Sequence, residues 1–220
     1  MQFTNRTEAG RLLAKKLTAY ADRSDVIVLA LPRGGVPVAY EVARALNAPL
    51  DIFLVRKLGV PGHEELAMGA IASGGVRELN EQVLFYLGIP NEVIERVTWE
   101  EQQELERRER LYRGDEKPFE IRGHLVIIVD DGLATGSSMR AAVLALKKQQ
   151  PSQIIVAVPV APRETCDFFK AEGDSICVCA VSPEPFDGVG RWYRDFSQTT
   201  DEEVCYLLKH AKQPVRRRAA

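Results

Sequence analysis

The run Val126-Ile-Ile-Val-Asp-Asp-Gly-Leu-Ala-Thr-Gly-Ser-Ser138 constrains this chain more than any other stretch. The apolar residues of Gly123–Val129 read as a strand buried on both faces, and such strands belong to parallel sheets covered by helices. The strand ends in Asp130 and Asp131. Adjacent carboxylates there repel each other, and burial raises their proton affinity. A fold carries such a pair where cations or hydroxyls face it, and the C-terminal edge of a parallel sheet is where ligands bind. If strand geometry continues, the two side chains point to opposite sides. Gly132, Thr135, Gly136, Ser137 and Ser138 then offer closely approachable N–H groups and hydroxyls just before a helix, which suits phosphate. The loop is neither a GxxxxGK[ST] loop nor a dinucleotide fingerprint. Acids for sugar hydroxyls, followed at once by a phosphate loop, point to a ribose 5-phosphate recognised as one unit.

The remaining elements agree with that strand. Helical spacing is expected over residues 6–20, 36–46, 80–88, 90–112, 139–148, 163–169 and 201–212. Strands are expected over 26–31, 51–55, 154–160 and 175–181. Residues 56–80 are glycine-rich and read as a loop or hairpin excursion, with short strands at 68–72 and 75–79. Pro90 marks a helix start. Glu104 with Arg108 and Glu106 with Arg110 are spaced as i,i+4 pairs. The pattern is βαβ, a middle insertion, then βαβ with a further strand. It predicts an α/β fold, a doubly wound, mostly parallel sheet with helices on both faces and a small hood. Residues 1–215 read as one domain, with 80–115 as a helical insertion and 216–220 as a disordered basic tail.

Composition excludes several classes. Lys plus Arg number 29 against 31 Asp plus Glu, so bulk charge gives no reason to expect nucleic-acid binding. The 4 Cys form no CxxC pair, which argues against a zinc site or disulfide scaffold and for reduced thiols in a cytoplasmic protein. The first residues lack a signal pattern, and apolar runs of about eight residues are too short to span a bilayer.

VIIVDDGLATGSS resembles the phosphoribosyl diphosphate (PRPP) signature of the type I phosphoribosyltransferases. The resemblance implies that Asp130 and Asp131 hold the ribose hydroxyls. It places the 5-phosphate on Ala134, Thr135, Gly136, Ser137 and Ser138. It also implies Mg²⁺, held mainly through PRPP, with Asp130 and Asp131 as its ligands directly or through water. Hypoxanthine-type members carry a third Asp where this chain has Ala134, whereas adenine- and orotate-type members have Ala. A 6-oxopurine reaction relying on that base is therefore not expected.

Other segments extend the resemblance. Leu31-Pro-Arg-Gly-Gly-Val36 is similar to the family's pyrophosphate loop, which often contains a non-proline cis peptide, and assigns pyrophosphate to Arg33, Gly34 and Gly35. Arg56-Lys57-Leu-Gly-Val-Pro-Gly-His63 resembles the start and flexible loop of the adenine- and orotate-type enzymes. It makes Arg56, Lys57 and His63 catalytic candidates alongside Asp130 and Asp131. The further loop Lys of the orotate type is absent. Glu64 and Glu65 read as loop lining. Residues 183–196 resemble the hypoxanthine-type segment that closes the base pocket, with Phe186 and Trp192 against the base. The resemblance is carried by residues 26–70 and 123–196. It implies Mg²⁺-dependent transfer of the phosphoribosyl group from PRPP to a small heterocyclic base, with release of pyrophosphate. The alternative from another class is a non-catalytic PRPP- or nucleotide-sensing regulator, with nucleic acid as its partner. A homodimer is compatible with the exposed helical surfaces.

Overall fold

The computed structural model describes residues 2–171 and 175–211. The chain runs through α1 (Arg6–Lys16), β1 (Val26–Ala30), α2 (Gly35–Leu46) and β2 (Leu50–Ile52). It then forms β3 (Val55–Val60), β4 (His63–Ala72), β5 (Val76–Leu79), α3 (Glu81–Leu87) and α4 (Asn91–Arg113). It returns through β6 (Leu125–Val129), α5 (Ser137–Lys148), β7 (Gln153–Val160), α6 (Arg163–Ala171), β8 (Ser175–Val181) and α7 (Asp201–Ala211).

The main sheet has five parallel strands in the order β2-β1-β6-β7-β8. From β1 the chain winds outward to β2; from β6 it winds the other way to β7 and β8. The direction reverses between β1 and β6, so the loops after these two strands flank a topological switch point, where α/β sheets open a ligand crevice. The continuous apolar strands serve two cores at once. Val26, Val28 and Ala30 pack with α1, α2 and α7 on one face. Ile27 and Leu29 pack with α5 and α6 on the other.

The second sheet is the antiparallel hood β3-β4-β5. Its Leu58, Val60, Met68 and Ile71 share a core with Ile94 and Leu105 of α4. Its Val55, Ala72 and Val76 pack toward the α5 side. The C-terminal end of α4 is fastened to the main sheet: the Arg113 guanidinium donates to Asp51 (2.9 and 3.2 Å) and to the Ile52 carbonyl oxygen (2.6 Å). Tyr112 donates its hydroxyl to Asp201 at 2.6 Å.

Several sequence expectations change in detail. The first helix stops at Lys16, and residues 18–20 continue as a 3-10 turn. The run expected as one strand over 51–55 is divided: β2 ends at Ile52 and Val55 already opens the hood. Phe53 and Leu54 between them enter opposite cores. The excursion over 56–80 is a sheet, and β4 extends back to His63 instead of starting at Met68. Glu104 pairs with Arg108 at 2.7 Å as expected, but Arg110 donates to the Glu106 backbone carbonyl, and the Glu106 carboxylate accepts from Gln102. The four cysteines are thiols outside any disulfide, and a hydrogen bond with Cys166 together with burial pushes the Cys179 thiol up. Among the described residues no helix is long and apolar enough to cross a membrane. The basic tail expected over 216–220 lies outside the described residues.

Candidate active site

β6 delivers Asp130 and Asp131 to the switch point, and the loop after β1 closes directly onto them. The Pro32–Arg33 peptide is cis. A Cβ on Gly34 would lie 2.1 Å from Asp131 Oδ2, and one on Gly35 would lie 2.7 Å from the Val129 carbonyl oxygen. Glycine is required at both positions by close approach, since any side chain would push the loop off the acid pair.

The two carboxylates have different surroundings. Asp130 Oδ1 accepts the Asp131 N–H at 2.8 Å. Asp131 Oδ2 accepts both Nε (2.9 Å) and Nη2 (2.8 Å) of Arg6, with the two side chains 12% and 15% exposed. Tyr193 donates its hydroxyl to the Asp131 carbonyl oxygen at 2.6 Å. Burial, then repulsion from Asp131, pushes the Asp130 carboxyl well above the usual carboxylate range. Burial raises Asp131 too, and Arg6 opposes that rise.

The segment from Gly132 to Ser138 forms an open cradle. Gly136 adopts a left-handed conformation (φ +72°) that turns the chain into α5. Thr135 Oγ1 and Ser137 Oγ lie 2.9 Å apart, and Ala134, Thr135, Ser137 and Ser138 are exposed. The first N–H groups of α5 have no partner inside the helix, so they are available to an anion. Thr165 of α6 supports the loop from behind, donating to the Ala134 carbonyl oxygen at 2.9 Å.

The cations expected for pyrophosphate are engaged elsewhere. Arg33 lies 3.6 Å from Asp201 at the start of α7. Arg56 donates to Glu101 of α4 at 2.5 Å. Lys57, the next residue on β3, points to the opposite face of the hood and contacts Glu65. His63 is exposed where β4 begins. No described contact joins Arg56, Lys57 or His63 to the acid pair. Glu64 accepts the Gly62 N–H at 3.1 Å, so both glutamates serve the hairpin. Phe186 and Trp192 pack against Phe3, Ala9, Val160 and Tyr193. Val189 brings this cluster to the acid pair, since it fills the space a Cβ on Gly132 would need. Among the described residues no three His, Cys, Asp or Glu converge as a metal cage.

This site coincides with a family match. The model for the phosphoribosyl transferase domain matches residues 3–181. The chain belongs to the phosphoribosyl transferase domain family. Two Mycobacterium tuberculosis proteins, from strains CDC 1551 / Oshkosh and ATCC 25618 / H37Rv, are each named "Putative phosphoribosyl transferase"; each is 41% identical over 209 residues, covering 95% of this chain and 47% of the relative. The chain thus spans about half the length of the curated relatives it matches. Among solved structures, TT1426 from Thermus thermophilus is 40% identical with a TM-score of 0.83, covering 96% of this chain and 99% of that one. AQ2163 from Aquifex aeolicus shares the fold alone, at 13% identity and a TM-score of 0.51, covering 92% of this chain and 86% of that one.

The family match begins at Phe3, earlier than the segments that carry the resemblance by motif. What those segments miss in this phosphoribosyl transferase domain is Arg6. A signal exists in the sequence: Arg6 opens α1, where the helix dipole disfavours a cation, and Asn5 already caps the helix by accepting the Glu8 N–H. A cation placed against its local electrostatics has a tertiary partner, but nothing in the sequence names Asp131 as that partner. Asp201 is the other residue missed, and its partners Arg33 and Tyr112 are likewise far away in sequence.

Proposed function

We propose that this domain transfers the 5-phosphoribosyl group from PRPP to a nitrogen of a small heterocyclic base, releasing pyrophosphate. The observation that carries the reading is the convergence of three features at one switch point: the Asp130–Asp131 pair, the Gly132–Ser138 cradle, and the Arg33-Gly34-Gly35 loop pressed against the acids. Ribose hydroxyls would donate to Asp130 and Asp131. Backbone N–H groups and hydroxyls of residues 134–138 would hold the 5-phosphate, assisted by the start of α5. Arg33, Gly34 and Gly35 would receive pyrophosphate, with Arg56, Lys57 and His63 supplied from the hood. Phe186 and Trp192 would line the base side.

The chain contributes position and charge rather than a covalent nucleophile. The bond from ribose C1 to the pyrophosphate oxygen breaks with its electrons leaving on pyrophosphate, while the base nitrogen bonds to C1 from the opposite face and the base releases one proton, to solvent or to pyrophosphate. Burial raises both carboxyls, so a bound divalent cation would favour the ionised form in which Asp130 and Asp131 stabilise the positive charge developing at the ring. Both are hard oxygen donors, and their number fits a divalent cation that takes its remaining ligands from PRPP. Mg²⁺ bound in that way would neutralise the departing pyrophosphate. Arg33 and Arg56 reach the leaving group by exchanging Asp201 and Glu101 for phosphate oxygens.

The test is a calorimetric titration with PRPP, with and without Mg²⁺, followed by pyrophosphate release across a panel of bases. Saturable Mg²⁺-dependent binding, with release triggered by one base, supports the reading and names the acceptor. Binding without release from any base would favour a PRPP-sensing regulator. Absence of PRPP binding to the folded chain would overturn both.

A further inference from the structure

Arg6 makes more directional contacts than its place in the sequence explains. Nε and Nη2 both point at Asp131 Oδ2, while Nη1 donates to the Ser197 carbonyl oxygen at 2.7 Å. The guanidinium lies over the Phe196 ring at 4.1 Å from its centroid and 5.9 Å from that of Tyr193. Those two rings stack on each other at 5.0 Å. Tyr193 also holds the Asp131 carbonyl oxygen, so segment 193–197 grips both the side chain and the backbone of one acid, the side chain by way of Arg6.

The residues before Arg6 fasten the same segment. Phe3 donates its N–H to the Trp192 carbonyl oxygen and accepts the Arg194 N–H, both at 2.8 Å. The Thr4 carbonyl oxygen accepts the Asp195 N–H at 3.0 Å. Residues 3–6 therefore form a strap joining the acid pair to the segment that carries Trp192. Arg6 also sits beneath the loop after β1, with its Nε 3.4 Å from the Cβ position of Gly34. The planar fork holds fixed directions and stacks plane on plane against aromatic rings; a lysine ammonium keeps the charge but neither the fork nor the planar stack.

We propose that Arg6 is a positioning residue that ties Asp131 to segment 193–197, so that filling the ribose site is transmitted to the base side of the pocket. Asp131 cannot shift toward a ribose hydroxyl without drawing on the Arg6 fork, and the fork cannot move without the Tyr193–Phe196 stack and the Ser197 carbonyl. The inference rests on the functional reading above and adds to it an order of events, in which PRPP sets the geometry that meets the acceptor.

The chain has two tryptophans, and Trp99 on α4 is 65% exposed. In a Trp99→Phe background, fluorescence reports Trp192 alone. PRPP with Mg²⁺ is expected to change that emission in the parent. Arg6→Gln should raise the dissociation constant for PRPP about tenfold and abolish the Trp192 response even at saturation. Arg6→Lys should recover affinity to within about threefold of the parent but leave the response lost, because it restores the charge without fork or stack. Phe196→Leu leaves the ion pair intact, so it should keep PRPP affinity and lose the response. A merely structural Arg6 would lower the folded fraction without separating affinity from response. A parent that binds PRPP with no Trp192 response, or a folded Arg6→Gln protein with parental affinity and response, overturns the inference alone. If Arg6→Gln does not fold, Phe196→Leu decides, and an undiminished response overturns it. A parent that fails to bind PRPP overturns the functional reading and this inference with it.

Discussion

The switch point and the hood are built by different physics. At the switch point, strands buried on both faces carry the acid pair, and the contacts that shape the site are glycine backbones pressed within hard-sphere limits. In the hood, a three-stranded antiparallel sheet displays its cations: Arg56 and Arg77 meet Glu101 and Glu95 of the long charged helix α4, and Lys57 meets Glu65 of its own hairpin. The first region tolerates almost no displacement. The second is held at its surface by half-exposed ion pairs that exchange with solvent at little cost. The proposed reaction, which holds a sugar phosphate in register while pyrophosphate enters and leaves, would need one part of each kind.

The sharpest way to break this contrast is to cut the bolt between the regions. Arg113 and Asp51 are 8% and 10% exposed, so the pair is buried, unlike the other ion pairs of α4. Arg113→Ala should destabilise the protein by about 3–5 kcal/mol, because it leaves Asp51 buried and unpaired. Chemical denaturation measures this, and a loss under about 1 kcal/mol would show that α4 is held by the hood and by Tyr112 rather than by the Arg113 bridge.

Next in size is the acid pair. Asp130→Asn with Asp131→Asn should weaken PRPP binding at least about 100-fold, roughly 2.7 kcal/mol, by calorimetry. Asp130→Asn alone should have the opposite effect on the ligand-free fold. The folded-state carboxyl is raised above its ordinary value, so Asp130 destabilises the fold once ionised. Its contribution is most favourable below the unfolded value and is lost as pH rises through the folded one. The melting temperature of Asp130→Asn should therefore exceed that of the parent at neutral pH, and the gap should close on acidification. A gap that does not change with pH would remove burial and repulsion as its cause.

Gly34→Ala tests the hard-sphere claim. The added methyl overlaps Asp131 Oδ2, so a loss of about 1–3 kcal/mol in stability is expected, together with weaker PRPP binding. Unchanged binding would mean that the loop after β1 moves away freely. The smallest effect belongs to the hood. Arg56 and Glu101 are each 27% exposed, so Glu101→Gln should change stability by less than about 1 kcal/mol. It should strengthen PRPP binding about threefold, since Arg56 no longer leaves a carboxylate to reach phosphate. Weaker binding in that variant would assign Glu101 a positive role in closing the hood.

Legibility in the sequence follows the same division. Strands β1, β6 and β7 are read correctly because a strand buried on both faces leaves a continuous apolar run that nothing else on the surface imitates. The place of the acid pair at the end of β6 is legible for a similar reason, since it follows directly on such a run. The hood is harder. Charged residues and glycines interrupt the alternation of β3 and β4, and the register shifts at Leu58, Gly59 and Val60, so the sequence shows a hairpin without its extent. The aromatic cluster at 186–196 is found by motif, but its attachment to Phe3 and Arg6 spans nearly the whole chain.

The sequence by itself determined the parallel α/β sheet, the position of the acid pair at a strand end, and the glycine- and hydroxyl-rich turn that leads from it into a helix. These depend on local runs, in which periodicity and neighbouring residues carry the information. Tertiary structure alone decided which carboxylate meets Arg6, which cations rest on Asp201 and Glu101, and that the N-terminal strap reaches the acid pair. Those are choices among many chemically equivalent charges. A guanidinium at position 6 suits any carboxylate in the chain, and only the folded path brings it to Asp131.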